Sequence, residues 1–178
     1  MSIYTSKPIQ KLPDILIYKL NEDVYRIINT KNSRHAGDIR MFPARKNYFQ
    51  NELWIDAFVL NKDQRNLGIG TKILKFAEIL STKMGLKGRL GLIASTLDVK
   101  TITSSGTIEL ISSTPPHKFY RKYGFKSGYK KFNNYIDSFI ENNESMQFVK
   151  MPSLDMHYTP KNQSLKQKFI DWFCNLFP

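Results

Sequence analysis

The chain has 178 residues, which is enough for one substantial hydrophobic core and too few for two ordinary domains. Its composition, 41% hydrophobic and 24% charged, is typical of a folded globular protein and excludes a wholly disordered chain. The net charge of +12 attracts polyanions such as nucleic acid or a phosphate-rich cofactor. Because Lys and Arg form no long cluster, charge alone identifies no partner.

Cysteine and histidine are too sparse for a disulfide framework or a zinc site. Cys174 is the single cysteine, and the three histidines are far apart, so we expect no metal. The N-terminus has no signal-peptide core, and no apolar run approaches the roughly 20 residues that span a bilayer. These features predict a cytoplasmic protein without a membrane partner.

The first predicted elements are strands. Alternating or β-rich segments predict strands at Asp14–Leu20, Val24–Thr30 and Ala36–Met41. Leu53–Leu60 (LWIDAFVL) is the strongest of them, and its nearly continuous apolar run suits a central strand covered on both faces.

Helical periodicity then begins at Ile69 and continues to Met84, where Gly85 gives a stop signal. The remaining predicted elements are a strand at Arg89–Ala94, a hairpin at Thr101–Leu110, a short helix from Pro115 through Tyr123, a late strand at Met146–Met151 and an amphipathic helix at Leu165–Phe177. This order of strands and helices predicts an α/β or α+β layer protein. We expect one domain over 1–160, and a C-terminal helix within 161–178 that docks on it or forms a homodimer seam.

A glycine loop joins the central strand to the first long helix. The first turn of a helix has backbone N–H groups without intrahelical partners, and its dipole adds partial positive charge. Gly68 and Gly70 would let a bulky anion approach these donors. The loop therefore predicts a phosphate site, although Gly-x-Gly alone is a weak signal and fits neither a P-loop nor a Rossmann fingerprint.

Two motifs in this order resemble the GNAT superfamily of acetyl-CoA-dependent N-acetyltransferases. Arg65-x-x-Gly68-x-Gly70 follows an apolar strand, and Phe119-Tyr120-x-x-x-Gly124-Phe125 ends a short helix. The resemblance covers Leu53–Phe125 and implies a mixed, mostly antiparallel sheet flanked by helices. It also implies acetyl-CoA as co-substrate and direct transfer of the acetyl group to a primary amine in a ternary complex.

The resemblance also assigns roles to individual residues. The backbone of Phe58, Val59 and Leu60 would pair with the pantetheine arm, and Tyr120 would protonate the leaving thiolate. Ser113 stands where the family often has a cofactor-contacting Asn. The amides that would hold the pyrophosphate are those of Arg65, Asn66, Leu67, Gly68, Ile69 and Gly70.

The general base for the amine is not fixed by the pattern. Asp56 is the tentative candidate, because a carboxylate in an apolar strand is either a functional group or one held by a structural Arg or Lys. Glu52 and Glu109 are weaker candidates, and water is an alternative to any base. His117 fits a surface histidine at a helix start better than a partner of Tyr120.

Two departures from the family pattern bear on function. The strand RLGLIA lacks the carboxylate that the family often carries there, and the segment 96–114 is an insertion that could form a lid or a specificity wall. Two other functions stay open: a non-catalytic acyl-CoA-binding module and a basic nucleic-acid-binding protein. The missing basic cluster argues against the second, and the acceptor is not specified by the sequence.

Overall fold

The computed structural model describes residues 7–44, 51–95, 97–102, 108–112, 115–146 and 151–160. The strands are β1 (Gln10–Leu12), β2 (Ile15–Lys19), β3 (Val24–Asn29), β4 (Arg34–Pro43), β5 (Leu53–Leu60), β6 (Leu90–Ala94), β7 (Leu97–Ile102), β8 (Ile108–Ser112), β9 (Lys126–Ser127) and β10 (Leu154–Tyr158). The helices are α1 (Ile69–Lys83), α2 (His117–Tyr123) and α3 (Lys130–Glu141), and a short 3-10 turn spans Lys62–Gln64.

Eight strands form one sheet in the order β1-β2-β3-β4-β5-β6-β10-β9. The pairs in this sheet are antiparallel except β5–β6, which is parallel because α1 carries the chain back between these two strands. The predicted mixed, mostly antiparallel α/β fold is therefore confirmed. The strand β5 lies next to the parallel junction, where the glycine loop leaves the sheet.

The main core lies between one face of the sheet and the helices. Alternate residues of the strands, such as Leu90 and Leu92 of β6, pack against Ile73 and Leu74 of α1, and all four are almost fully buried. Phe125 after α2 and Ile136 of α3 belong to the same cluster. Burying such side chains contributes roughly 1.5–3 kcal/mol each. We call the opposite side of β6, β10 and the first half of β5 the open face, because Asp56, Ile93 and Asp155 are exposed there. Along the second half of β5 the same side is covered, since Ala57 and Val59 are buried in a second cluster with Val24.

The sequence located most of these elements. The helix α1 and the strand β5 have nearly the predicted bounds, and the predicted hairpin is the two-stranded sheet β7–β8, whose β7 backbone lies beside β5 and β4. The prediction missed four elements: β1, β9, α3 and β10. No helix in the described ranges combines the length and the apolar character needed to cross a membrane.

Two predictions near the C-terminus fall on other residues. The late strand expected at Met146–Met151 lies mostly outside the described residues, and the strand next to β6 is Leu154–Tyr158. The predicted helix Leu165–Phe177 and the expected docking of 161–178 also lie outside the described residues.

Candidate active site

The strands β5 and β6 separate after a short parallel contact. They pair from Leu53 with Leu90 to Ile55 with Leu92, and beyond this point each strand pairs only with its other neighbour. The strand β5 stays paired with β4 as far as Leu60, while β6 follows β10. The resulting wedge, which we call the splay, opens towards the glycine loop.

A β-bulge lies where the splay begins. Ala57 is opposite Arg40 and Ile55 is opposite Met41, so Asp56 is the extra residue of β5. Bulges are frequent beside active sites because they redirect the strand and the groups that follow. Here the bulge moves Phe58 and Leu60 to the helix-covered side, where both pack against the main core.

Backbone groups of β5 are directed into the splay. The N–H of Asn61 donates to the carbonyl of Ala36 in β4 over 3.0 Å. Because successive residues of a strand direct their backbone groups to opposite sides, Val59 also faces β4, whereas Phe58 and Leu60 face the splay. Two of the three residues predicted to pair with a pantetheine arm therefore present their backbone to this opening. Val59 presents its backbone to β4.

The glycine loop supplies N–H groups at the wide end of the splay. The amide of Arg65 donates to the carbonyl of Lys62, so this amide is already used within the protein. In the described part of the chain, the amides of 66–70 donate to no backbone carbonyl. Asn66 has a φ of 61° and Gly68 a φ of 73°, and left-handed residues of this kind create concave arrangements of N–H groups that bind anions. The guanidinium of Arg65 stays close, because its Nε donates to the carbonyl of Leu60 over 3.1 Å.

The two glycines of the loop are required for different reasons. Gly68 needs its left-handed backbone, and a Cβ there would meet no atom within 4 Å. Gly70 is buried in α1, and a Cβ there would lie 3.0 Å from Cζ of Phe119 and 3.4 Å from Cδ1 of Leu60. Phe119 thus packs against both the helix start and Phe58, whose ring centroid is 6.3 Å away.

Tyr120 is more enclosed than Phe119. Its exposed fraction is 8%, and its ring packs against Phe119 and Phe125 with centroid distances of 5.2 and 5.6 Å. The ring of Tyr120 therefore belongs to the core.

His117 is fully buried, so the expectation of a surface histidine at the helix start is wrong. Its Nε2 lies 3.1 Å from the carbonyl of Pro152, and since a carbonyl only accepts, Nε2 carries the proton. Burial lowers the pKa of His117 more than the hydrogen bond to Pro152 raises it. His117 is therefore a core residue rather than a surface one.

The tentative base, Asp56, lies on the open face in an ion pair with Arg40. The Nε of Arg40 is 2.6 Å from Oδ2 of Asp56, and a second guanidinium nitrogen contacts the same oxygen. This is the structural pairing that the sequence left open as the alternative to a base. Of the weaker candidates, Glu109 lies on β8, and Glu52 precedes β5 and contacts His157. Ser113 lies outside the described residues.

Comparison with known proteins identifies the family. The family model "Acetyltransferase (GNAT) domain" matches residues 22–127, which is more than half of the chain. The protein therefore belongs to the GNAT acetyltransferase family, as the two sequence motifs indicated. No curated protein matches the sequence.

Solved structures with a similar fold include three acetyltransferases. An aminoglycoside 6'-N-acetyltransferase complexed with coenzyme A has a TM-score of 0.48 and 16% identity, over 81% of this chain and 78% of that one. A Bacillus subtilis acetyltransferase in complex with CoA has a TM-score of 0.48 and 11% identity, over 84% and 80%. A putative streptothricin acetyltransferase from Bacillus anthracis str. Ames in complex with acetyl coenzyme A has a TM-score of 0.46 and 15% identity, over 84% and 65%. The chain thus spans slightly less than two thirds of the last of these proteins.

Proposed function

We propose that this protein is an N-acetyltransferase that moves the acetyl group of acetyl-CoA directly to a primary amine in a ternary complex. The observation that carries the proposal is the splay between β5 and β6, with outward-facing backbone groups on one side and the loop amides at its end. An extended chain carrying amides and ending in a pyrophosphate is complementary to this arrangement. Pantetheine diphosphate has that chemistry.

In this proposal each part of the site has one task. The backbone of Phe58 and the N–H of Leu60 pair with the pantetheine amides like an added strand, and the loop amides with Arg65 hold the pyrophosphate. The first turn of α1 contributes Ile69 and Gly70 to that cradle. Holding both substrates in one cleft supplies much of the rate, because a bimolecular step becomes effectively unimolecular.

Tyr120 has the role of proton donor to the departing thiolate. A tyrosine with an unperturbed pKa of about 10 protonates a thiolate whose conjugate acid lies near 8.5 only by concerted transfer in a fixed geometry. The packing of its ring between Phe119 and Phe125 supports such a geometry. The acceptor is an amine-bearing small molecule or protein, and we propose that neither nucleic acid nor a metal ion takes part.

Two measurements test the proposal together. Calorimetry should show binding of acetyl-CoA, and thiol release should show turnover with at least one member of a panel that contains an alkyl amine, a polyamine, an amino sugar, a free amino acid and a peptide N-terminus. Binding without turnover on any amine would favour a non-catalytic acyl-CoA-binding module. Tight, salt-dependent binding of an oligonucleotide without acetyl-CoA binding would favour the nucleic-acid reading.

A further inference from the structure

The open face carries a hydrogen-bonded carboxylate–imidazole pair beside the start of the splay. Oε2 of Glu52 lies 2.8 Å from Nδ1 of His157. The side chain of Glu52 is 13% exposed and that of His157 is 32% exposed, so the carboxylate is enclosed while the imidazole reaches solvent. Neither the glycine loop nor the splay uses this pair.

The fold makes space for the pair at one position of β6. A Cβ added at Gly91 would lie 2.6 Å from Oε2 of Glu52 and 2.6 Å from the ring of Trp54. Trp54, Gly91 and His157 are register partners across β5, β6 and β10. The pair is therefore built into three strands of the sheet rather than formed by two flexible surface groups.

The pair also lies one row from the narrow end of the splay. The parallel contact of β5 and β6 ends at Ile55 and Leu92, one residue beyond the row of Trp54 and Gly91. One residue of a strand corresponds to about 3.3 Å. His157 lies on β10, one strand spacing of about 4.8 Å beyond β6 and one row before the narrow end of the splay, on the face opposite α1, so a bridging water would extend its reach.

We propose that His157 is the base that removes a proton from the acceptor amine, directly or through one water, and that Glu52 is its positioning residue. This inference rests on the proposed acetyl transfer. The amine approaches over the open face, where Ile93 and Trp54 give an apolar floor, while acetyl-CoA occupies the splay. Since Nδ1 of His157 is bonded to Glu52, Nε2 is the ring nitrogen that exchanges protons.

The proton balance is complete without a further reactant. An alkyl ammonium gives one proton to His157, and the neutral amine attacks the acetyl carbon, so that a C–N bond forms and the C–S bond breaks. The second nitrogen proton is lost as the amide forms, and the thiolate takes one proton from Tyr120 or solvent. His157 returns its proton to solvent, so the net products are the amide, coenzyme A and one proton.

Charged groups around the imidazole favour a strong base. The hydrogen bond to Glu52 raises the pKa of His157, burial opposes this, and the charges of Glu52 and Asp155 add to the increase. Lys126 of β9 is the register partner of His157. Arg89 lies at the start of β6, and Leu90–Ala94 contributes no ionisable group.

The test compares two acceptors that differ in their need for a base. The most rapidly acetylated alkyl amine of the panel is protonated at neutral pH, whereas methoxyamine is neutral. We expect His157→Gln to lose about 10²- to 10⁴-fold in kcat/KM with the alkyl amine. The same variant should keep its methoxyamine rate and its acetyl-CoA affinity. Glu52→Gln should move the rising limb of the pH profile of kcat/KM for the alkyl amine to lower pH, because the pKa of His157 is no longer raised by the carboxylate.

His35 provides a matched control, because it is also a histidine beside a carboxylate: its Nε2 lies 3.0 Å from a carboxylate oxygen of Asp38. Both residues lie on β4. His35→Gln should leave both rates unchanged. Equal rates for wild type and His157→Gln with the alkyl amine overturn the inference, as does an equal loss with both acceptors. NMR titration gives an independent check: a pKa of His157 that does not fall in Glu52→Gln also overturns it. A wild type that binds acetyl-CoA but acetylates no amine overturns the proposed function itself.

Discussion

Gly70 of α1 and Phe119 of α2 are in direct contact, and this contact joins the two motifs that identified the family. The ring of Phe119 occupies the space where any other residue at position 70 would place its Cβ, 3.0 Å from Cζ. The same ring lies beside Phe58 of β5. A single aromatic side chain thus spans the helix start and the strand that borders the splay.

This contact changes what a substitution at Gly70 is expected to do. Gly70→Val should lower the free energy of unfolding by about 1–3 kcal/mol, because the added side chain overpacks against Phe119. Acetyl-CoA binding, measured by calorimetry, should weaken as the ring shifts. The double variant Gly70→Val/Phe119→Ala should recover part of both losses.

Gly68 is the matched control for the glycine loop. Gly68→Ala should cost roughly 1–2 kcal/mol, because its φ of 73° is unfavourable for a residue with a Cβ. No atom lies within 4 Å of that Cβ, so Phe119→Ala should not rescue this variant. If Phe119→Ala rescues both Gly70→Val and Gly68→Ala, or neither of them, contact with Phe119 is not what makes Gly70 necessary.

Tyr120→Phe tests the proton donor. We expect the acetyl-CoA affinity to stay the same and kcat to fall roughly a hundredfold or more, because only the hydroxyl is removed and the packed ring stays. Tyr123→Phe is the control: its hydroxyl donates to Glu78 over 3.1 Å, on the third turn of α1. That variant should alter the melting temperature and leave kcat within about twofold. An unchanged kcat in Tyr120→Phe would show that solvent protonates the thiolate.

The sequence located the strand, loop and helix of the proposed cofactor side, because that side depends on local features. A strand of continuous apolar residues, a glycine loop and a helix start follow one another in the chain, so their chemistry is readable without tertiary contacts. The register that opens β5 from β6 is not readable in this way. It depends on the pairing of β6 with β10, a strand that is more than 50 residues away and was not predicted.

The proposed acceptor side was not predicted, for the same reason. His157 lies on β10, where Leu154 and Met156 are the only two buried positions and a short alternation gives a weak signal. The helix α3 carried a stronger signal, since Phe132, Ile136, Phe139 and Ile140 recur at helical spacing. Glu52 became informative only when the fold placed His157 beside it.

Asp56→Asn distinguishes a structural ion pair from a base. Because the Asp56 and Arg40 side chains are 29% and 22% exposed, losing the pair should cost at most about 1 kcal/mol. If Asp56 only holds Arg40, the pH profile of kcat/KM should keep its shape. Loss of the rising limb in Asp56→Asn, with the limb retained in His157→Gln, would return the role of base to Asp56.

His117 and His157 should give opposite dependences of stability on pH. The lowered pKa of His117 means that its neutral form stabilises the fold above pH 6.5, and this contribution is lost as the pH falls. The raised pKa of His157, caused chiefly by Glu52, means that its charged form stabilises the fold below pH 6.5. That contribution is lost as the pH rises through the pKa of His157 in the folded state.

Urea unfolding at about pH 5.5 and pH 7.5, on either side of the unfolded histidine pKa of about 6.5, separates the two contributions. In His157→Gln only His117 acts, so the free energy of unfolding should be higher at the upper pH. In His117→Leu only His157 acts, so it should be higher at the lower pH. In the wild type, the change in the free energy of unfolding between the two pH values should lie between those of the two variants, because the two effects partly cancel. Since each comparison uses one variant at two pH values, an overall loss of stability on replacing His117 does not affect the sign of the pH dependence. Equal slopes in both variants would show that other groups control the pH dependence.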